Sequence, residues 1–468
     1  MDSQPLIAQR LLSDPRVAEA TRLLQAALED HSAELAPRGP LPEFADSFQK
    51  SLDEFATLRG NGLFFPYLAT GAGRGALVEL ADGSVKYDMI TGIGVHAMGH
   101  AHPRLMAQLV PAMLADTVMQ GNLQQNEESL QLTRDLVTLA NRQGASLDHC
   151  FLSSSGAMAN ENAFKVLFQH RTASTRILAF DNAFAGRSHL LGQVTDRPKN
   201  RVGQPDTVAV DYVPFFDAAH PEHSTKATLK RVETYLQRYP NAHCGFIMEL
   251  VQGEGGYYSA PREYFVALCD LLKAQGVPIF FDEIQTFGRT YAPFAFQMLQ
   301  LDAYADMVTI GKMSQICATL FRAELNPKPG LLSQTFTSST TAIAAGRWVI
   351  QQLADGHFYG EEGRIAEIHQ RFVARFEGIE LKAPGKLSGP FGIGGMIAFT
   401  PMDGSADAAK RVLHALYEAG VIAFVAGAGP ARIRFLPPFL SLTDAEIDAV
   451  CDIVEEVMVS LPLESETS

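Results

Sequence analysis

Two apolar runs in this chain each end in a residue able to do chemistry. Residues 277–290 read VPIFFDEIQTFGRT, strand-forming residues that run out into Asp282 and Glu283. Thirty residues beyond Asp282, DMVTIGKMSQ repeats the form with Lys312 just past its apolar stretch. Taken singly, an acid after a strand is most often a helix cap or a solvated strand end, and a lone lysine is a surface residue. Two such ends in one sheet are more specific, because ligands of open α/β sheets sit outside the carboxyl ends of the strands. A partly desolvated lysine amine there is nucleophilic toward an aldehyde. A carboxylate against a pyridine nitrogen keeps that nitrogen protonated, so the ring draws electrons. A third segment, FLSSSGAMANENAFKV, carries a strand into Ser155, Gly156 and Ala157 at a helix start. Helix starts present backbone N–H groups suited to a phosphate. Amine, carboxylate and phosphate cradle together fit pyridoxal 5'-phosphate, held as a Schiff base on Lys312.

The elements that must position these residues alternate. Strands are expected at 149–152, 176–180, 207–213, 244–249, 277–281 and 307–310, with helical stretches at 157–170, 226–238 and 261–275. Such alternation predicts an α/β fold with a mostly parallel sheet covered on both faces. Before it come a helical arm over 5–36, a connection at 60–66, a hairpin of strands 76–80 and 85–89 turning at Asp82-Gly83, and helix over 105–140. Beyond about residue 356 the rhythm changes to a smaller α+β unit. It has helices at 361–376, 406–418 and 444–460 and strands at 396–400, 421–424 and 432–435. No internal repeat is present, and the tail LESETS is expected to be disordered.

Composition narrows the function classes. A length of 468 residues with 47% hydrophobic and 19% charged content is that of a globular protein with a large core. The net charge of -14 argues against nucleic acid or an anionic membrane as the main partner. Five scattered cysteines, none in a C-x-x-C pair, fit a reducing compartment and no zinc site. The first residues lack a basic start with an apolar core, and no apolar stretch is long enough for a membrane span, so the expectation is cytoplasmic.

From about Tyr67 to the final helix, the chain resembles the class III (omega) aminotransferases, among them the 4-aminobutyrate, ornithine/acetylornithine and lysine ε-aminotransferases. The matching runs are DGSVKYDMITGIGVHAMGHAHP, SSGAMANENAFK, FDNAFAGRS, MELVQGEGG, FFDEIQTFGRT, DMVTIGK, QTFTSSTTAIAAG and IRFLPP. The resemblance implies a fold-type-I pyridoxal-phosphate enzyme. Its large domain, over 76–340, would carry a mostly parallel seven-stranded sheet; its smaller α+β domain, with a linking helix, would span 341–468, and residues 1–75 would form a helical arm and a segment joining the small domain. It implies that Lys312 forms the Schiff base and shuttles a proton, Asp282 pairs with the pyridinium nitrogen, and Gln285 contacts the ring hydroxyl. Phe184 would stack on the ring, and Ser155, Gly156 and Ala157 would hold the phosphate. Thr335 would reach the phosphate of a neighbouring subunit, making a homodimer with shared sites. Arg187 and Arg434 would bind substrate carboxylates, and Glu254 would neutralise Arg434 when an amine-end substrate is bound. Guanidinium groups suit this task because they meet a carboxylate with two parallel hydrogen bonds. The implied reaction is ping-pong transfer of a terminal amino group from an amino acid or amine to a keto acid such as 2-oxoglutarate.

Departures from the family pattern cluster around these anchors. Leu250 stands for a proline in the EPxQGE run, Ala185 for a histidine, MSQICA for a glycine run and TSST for GGNP. The MSQICA run is closer to the lysine ε-aminotransferase branch. Ile93 replaces the tyrosine of ornithine aminotransferase, and Phe65, Tyr67, Ile93 and Gln315 are expected near the donor. Racemase, decarboxylase or aminomutase chemistry on the same fold is the alternative, against which the Glu254–Arg434 pair speaks. A cofactor-binding regulator would carry a DNA-binding module or lack the lysine, and the sequence shows neither feature. GAGRG at 71–75 has the wrong spacing for a dinucleotide loop. His96, His100 and His102 lack an acid or cysteine at ligand spacing, so no metal is expected.

Overall fold

The computed structural model describes residues 5–115, 121–355 and 357–462. Its centre is a sheet of seven strands: β1 His149–Ser153, β2 Arg176–Phe180, β3 Ala209–Val213, β4 His243–Met248, β5 Ile279–Glu283, β6 Met307–Ile310 and β7 Cys317–Phe321. They lie in the order β1-β7-β6-β5-β4-β2-β3. β7 runs antiparallel to β1 and β6, while the remaining pairs are parallel. Helices Gly156–His170, Pro221–Arg238 and Arg262–Ala274 supply crossovers that parallel neighbours require. With both faces covered, β4 and β5 are buried along their whole length, which is why they read as continuous apolar runs.

The expected strands at 176–180 and 307–310 match β2 and β6, and β4 is one residue earlier than expected, so Glu249 lies just beyond its end. β7 carries no sign in the strand–helix rhythm, because an antiparallel neighbour needs only a tight turn. That turn contains Lys312, and both Lys312 and Gln315 adopt left-handed backbone conformations to make it.

A second sheet comprises β8 Leu387–Ile393, β9 Met396–Pro401, β10 Phe424–Ala426 and β11 Arg432–Phe435, in the antiparallel order β8-β9-β11-β10. β8 does not read as a strand, since LSGPFGI holds glycine and proline and its pairing with β9 is irregular. The strand expected at 421–424 is divided. Val421–Ile422 pairs in parallel with Val85–Asp88 of the N-terminal hairpin, and Phe424–Ala426 turns into the second sheet. That hairpin gains a further strand, Ala69–Arg74, which absorbs most of the GAGRG run.

The arm expected over 5–36 is two helices, Ile7–Leu12 and Pro15–Ser32. They are broken at Asp14, whose carboxylate accepts from the Arg16 N–H at 2.9 Å while Pro15 fills the first helical position. Helix Ala45–Arg59 was not expected, Thr340–Ala354 stands where a linking helix was expected at the start of the smaller unit, and the helical pattern over 105–140 resolves into Pro103–Ala112 and Glu127–Ala140. Residues 116–120 of that pattern and the tail at 463–468 lie outside the described residues. Among the described residues no helix is long and apolar enough to cross a membrane.

Candidate active site

The side-chain alternation of β5 separates its two acids. Asp282 opens into a cavity of about 340 Å³ at the carboxyl edge of the sheet. Glu283 points the other way, where its carboxylate accepts from the N–H groups of Ala295 at 3.0 Å and Phe296 at 2.9 Å and from the Thr286 hydroxyl. Glu283 is thus a structural clamp. Lys312, Gln285, Phe184, Gly156, Ala157 and Arg187 share the cavity with Asp282.

Asp282 is held by its neighbours. Asn160 lies one turn into helix Gly156–His170 and donates from Nδ2 to Asp282 Oδ2 at 2.7 Å and to the Ala185 carbonyl at 2.8 Å. Its own Oδ1 accepts from the Thr309 hydroxyl at 2.8 Å. The second Asp282 oxygen accepts from the Ile284 N–H at 3.0 Å. Burial pushes the Asp282 carboxyl up to about 6, against the pull of the Ile284 N–H, the Asn160 amide and the Lys312 charge. Lys312 is pushed down from its ordinary value, chiefly by burial and further by the Arg434 charge, with Glu254, Asp282 and Glu249 opposing.

Ser155 caps the same helix, its Oγ accepting from the Met158 N–H at 3.2 Å. Gly156 and Ala157 therefore form the opening turn, whose N–H groups have no intrahelical acceptor. Glu249 also lines the cavity and bridges two backbone donors, Phe184 N–H at 2.9 Å and Gly253 N–H at 3.0 Å. Burial, with the nearby Asp282 charge, pushes Glu249 up to about 8.

Arg434, fully buried on β11, donates from Nη2 to Glu254 Oε1 at 2.5 Å. Its Nη1 lies 3.4 Å from Gln285 Oε1, which joins the pair to the Lys312 cavity. Burial alone would lower the Arg434 value; Tyr257 and the Glu254 carboxylate overcome that and raise it.

The structure thus brings together Lys312, Asp282, Gln285, Phe184, Gly156, Ala157 and Arg187, with Ser155 at the helix cap and Glu254–Arg434 adjoining. Thr335 stands apart, exposed and not among the cavity's lining residues. Phe65, Tyr67, Ile93 and Gln315, expected near the donor, do not line the cavity either. Phe65 stacks on Tyr417 with ring centroids 5.2 Å apart, and the Tyr67 hydroxyl donates to Asp88 at 3.2 Å. The Gln315 amide turns to the Val95 carbonyl at 2.9 Å. His100 bonds to Asp88 at 3.0 Å, and His102 caps helix Pro103–Ala112. Two residues escaped the sequence reading, Asn160 and Glu249. Each had a signal: Asn160 and Asn162 are polar residues on a buried helix face, and Glu249 ends an apolar run as Asp282 does.

Residues 60–458 match the family described as aminotransferase class-III. The chain belongs to that family. Among its relatives is the acetylornithine aminotransferase of Corynebacterium efficiens, 30% identical over 392 residues, which cover 81% of this chain and 89% of the relative. The L-lysine-epsilon aminotransferase of Mycobacterium bovis is 28% identical over 427 residues, 83% of this chain and 90% of its own length. Among solved structures, lysine aminotransferase from M. tuberculosis superposes with a TM-score of 0.76 at 23% identity, covering 87% of this chain and 98% of that one. Ornithine aminotransferase from Toxoplasma gondii gives 0.75 at 21%, covering 87% and 94%. At these identities the structures establish the fold, a fold-type-I arrangement of a mostly parallel sheet and a smaller domain.

Class-III aminotransferases use pyridoxal phosphate, and the residues present fit it. The cavity offers a buried carboxylate held by two donors, a half-buried amine whose charge is disfavoured, and a helix opening with glycine at its first position. A Cβ on Gly156 would lie 3.0 Å from the Ile284 side chain, so glycine keeps this helix opening close-packed against Ile284.

Proposed function

We propose that this aminotransferase takes a terminal amino group from an amino acid or amine and passes it, by a ping-pong route, to a dicarboxylic keto acid such as 2-oxoglutarate. The observation that carries this reading is the Glu254–Arg434 pair beside the Lys312 cavity. One guanidinium must meet a carboxylate in one half-reaction and an uncharged chain in the other, and a carboxylate that can leave it allows both. The side chain of Arg434 is fully buried whereas that of Glu254 is 28% exposed, so Glu254 has room to depart. The names of the acetylornithine and L-lysine-epsilon relatives support a donor with its reactive amine at the chain end.

Lys312, Asp282, Gln285, Phe184 and the Ser155–Ala157 turn are the residues that would hold pyridoxal phosphate, and Thr335, exposed outside the cavity, would serve the site of a second copy in a homodimer. When bound, the cofactor supplies an electron sink that allows a C–H bond beside the substrate nitrogen to break. Lys312 Nζ takes the proton from that carbon, a role suited to an amine whose burial favours its neutral form. Asp282, steadied by Asn160 and Ile284, would supply the negative charge that keeps the cofactor's ring nitrogen protonated. Arg187, exposed at the cavity rim, receives the distal carboxylate of the keto acid, and Arg434 receives the other once Glu254 has left. The donor leaves as an aldehyde, and the keto acid leaves as an amino acid. Five free cysteines support a reducing compartment, the cytoplasm.

Mixing holoenzyme with ω-amino acids in the absence of acceptor tests the reading. A donor should change the cofactor's absorbance and release one aldehyde per site. Full turnover without any keto acid would overturn it.

A further inference from the structure

The loop that carries Glu254 is fastened by its backbone on both sides of that residue. Glu249 accepts from the Gly253 N–H at 3.0 Å. The Glu254 carbonyl accepts from the Gly427 N–H at 2.9 Å and from Arg197 Nη2 at 3.3 Å. The Gly256 carbonyl accepts from Arg432 Nη1. The Gln285 amide packs directly on the loop, 2.7 Å from where a Cβ on Gly253 would lie.

Arg432 is an unusual fastening. It sits two residues before Arg434 on β11, and side chains alternate along a strand, so both guanidinium groups leave the same face. Arg434 meets Glu254, whereas Arg432 faces no carboxylate within ion-pairing distance among the described residues. Instead its guanidinium carbon lies over the Phe391 ring, 3.5 Å from the centroid, and over the Tyr258 ring, 4.3 Å from its centroid. Burying a guanidinium without a counter-charge is costly, and what this one secures is a single loop carbonyl.

We propose that Glu249 and Arg432 are positioning residues that hold the 253–256 backbone still, so that the exchange at Arg434 is a rotation of the Glu254 side chain and not a loop movement. This rests on the dual-substrate reading above and says how that exchange is built. A fixed backbone returns the Glu254 carboxylate to Arg434 each time a substrate carboxylate leaves. A loosened one lets the pair open, and substrate carboxylates then compete with Glu254 more easily.

The test uses holoenzyme and glutarate, a dicarboxylate with no group to react. Arg432→Lys keeps the charge but loses the flat, forked donor. Calorimetry should show glutarate binding about three- to tenfold tighter, the range expected for loss of one hydrogen bond that favoured the closed pair. In the donor half-reaction, KM for an ω-amino acid should rise by more than kcat falls, a split that general loss of structure would not give. Glu254→Ala is the reference and should tighten glutarate further. If Arg432→Lys does not fold, Arg197→Ala removes a fastening near the surface and should act in the same direction, more weakly. Tightening by Glu254→Ala, with unchanged glutarate binding in every folded loop variant, would overturn the positioning roles and leave the exchange intact. No tightening by Glu254→Ala would overturn the exchange itself.

Discussion

Asp282 and Lys312 stand at the ends of adjacent strands of one sheet, whereas Glu254 and Arg434 reach each other from a loop beyond β4 and from a strand of the second sheet. The contacts differ accordingly. Asp282 is buried and held by two donors, and Lys312 is set by a turn whose backbone is left-handed. Glu254 has one ion pair and partial exposure, which are the conditions for exchange. The large sheet therefore supplies what must not move during the reaction, and the junction with the second sheet supplies what must.

Lys312→Ala attacks the fixed half and has the largest expected effect. Loss of both the anchoring amine and the proton carrier should lower the donor half-reaction by at least about a thousandfold, measured as single-turnover absorbance change. Activity within tenfold of the parent would break the comparison at its firmer end. Arg434→Gln attacks the exchangeable half. Removing a buried partner of carboxylates should raise KM for 2-oxoglutarate by about a hundredfold, while donor kinetics change far less. Equal losses in the two half-reactions would mean that the two regions are not functionally separate.

Asn160→Ala sharpens the division, because Asn160 is a side chain that donates to Asp282 and does not itself line the Glu254–Arg434 pair. Its amide favours the charged carboxylate, which burial otherwise pushes up to about 6. Without it the Asp282 value rises further, so the acidic limb of the kcat/KM profile moves to higher pH. Activity should fall by about tenfold near pH 6 and by less at pH 8. A uniform loss at all pH values would assign Asn160 to helix packing instead.

The same contrast explains what the sequence disclosed. Lys312, Asp282 and the Ser155–Ala157 turn were legible because each ends or follows a run of residues with one clear periodicity. β7 was not, because an antiparallel return leaves no helix behind it, and β8 was hidden by Gly389 and Pro390. The aims of Tyr67 and Gln315 were unreadable as well. Each is set by a single distant partner, Asp88 and Val95, and no local pattern encodes which way a side chain turns. Arg432 belongs to this class, since its meaning lies in a loop carbonyl brought to it from a separate element.

Glu283 carries the smallest prediction and tests whether the fixed half is held by structure or by charge. Burial pushes its carboxyl from 4.5 up to about 7, against the donors from Thr286, Ala295 and Phe296. The native state therefore binds a proton that the unfolded chain has already released between those values. Its contribution to stability is whole below about pH 4.5 and is lost as pH rises through about 7. Asp282 and Glu249 shift in the same direction and add to this loss between pH 5 and 8, while His96, His102 and His369, lowered chiefly by burial, oppose it. Glu283→Gln removes one of the three carboxyl titrations and keeps an acceptor for the backbone donors. Urea unfolding of the apo variant should then show a shallower decline with pH than the parent, although its stability at pH 5 is lower by about 1 kcal/mol for the lost acceptor. An unchanged slope would mean that Glu283 keeps its charge in the fold, and that the strand ends of the large sheet carry more negative charge than their burial implies.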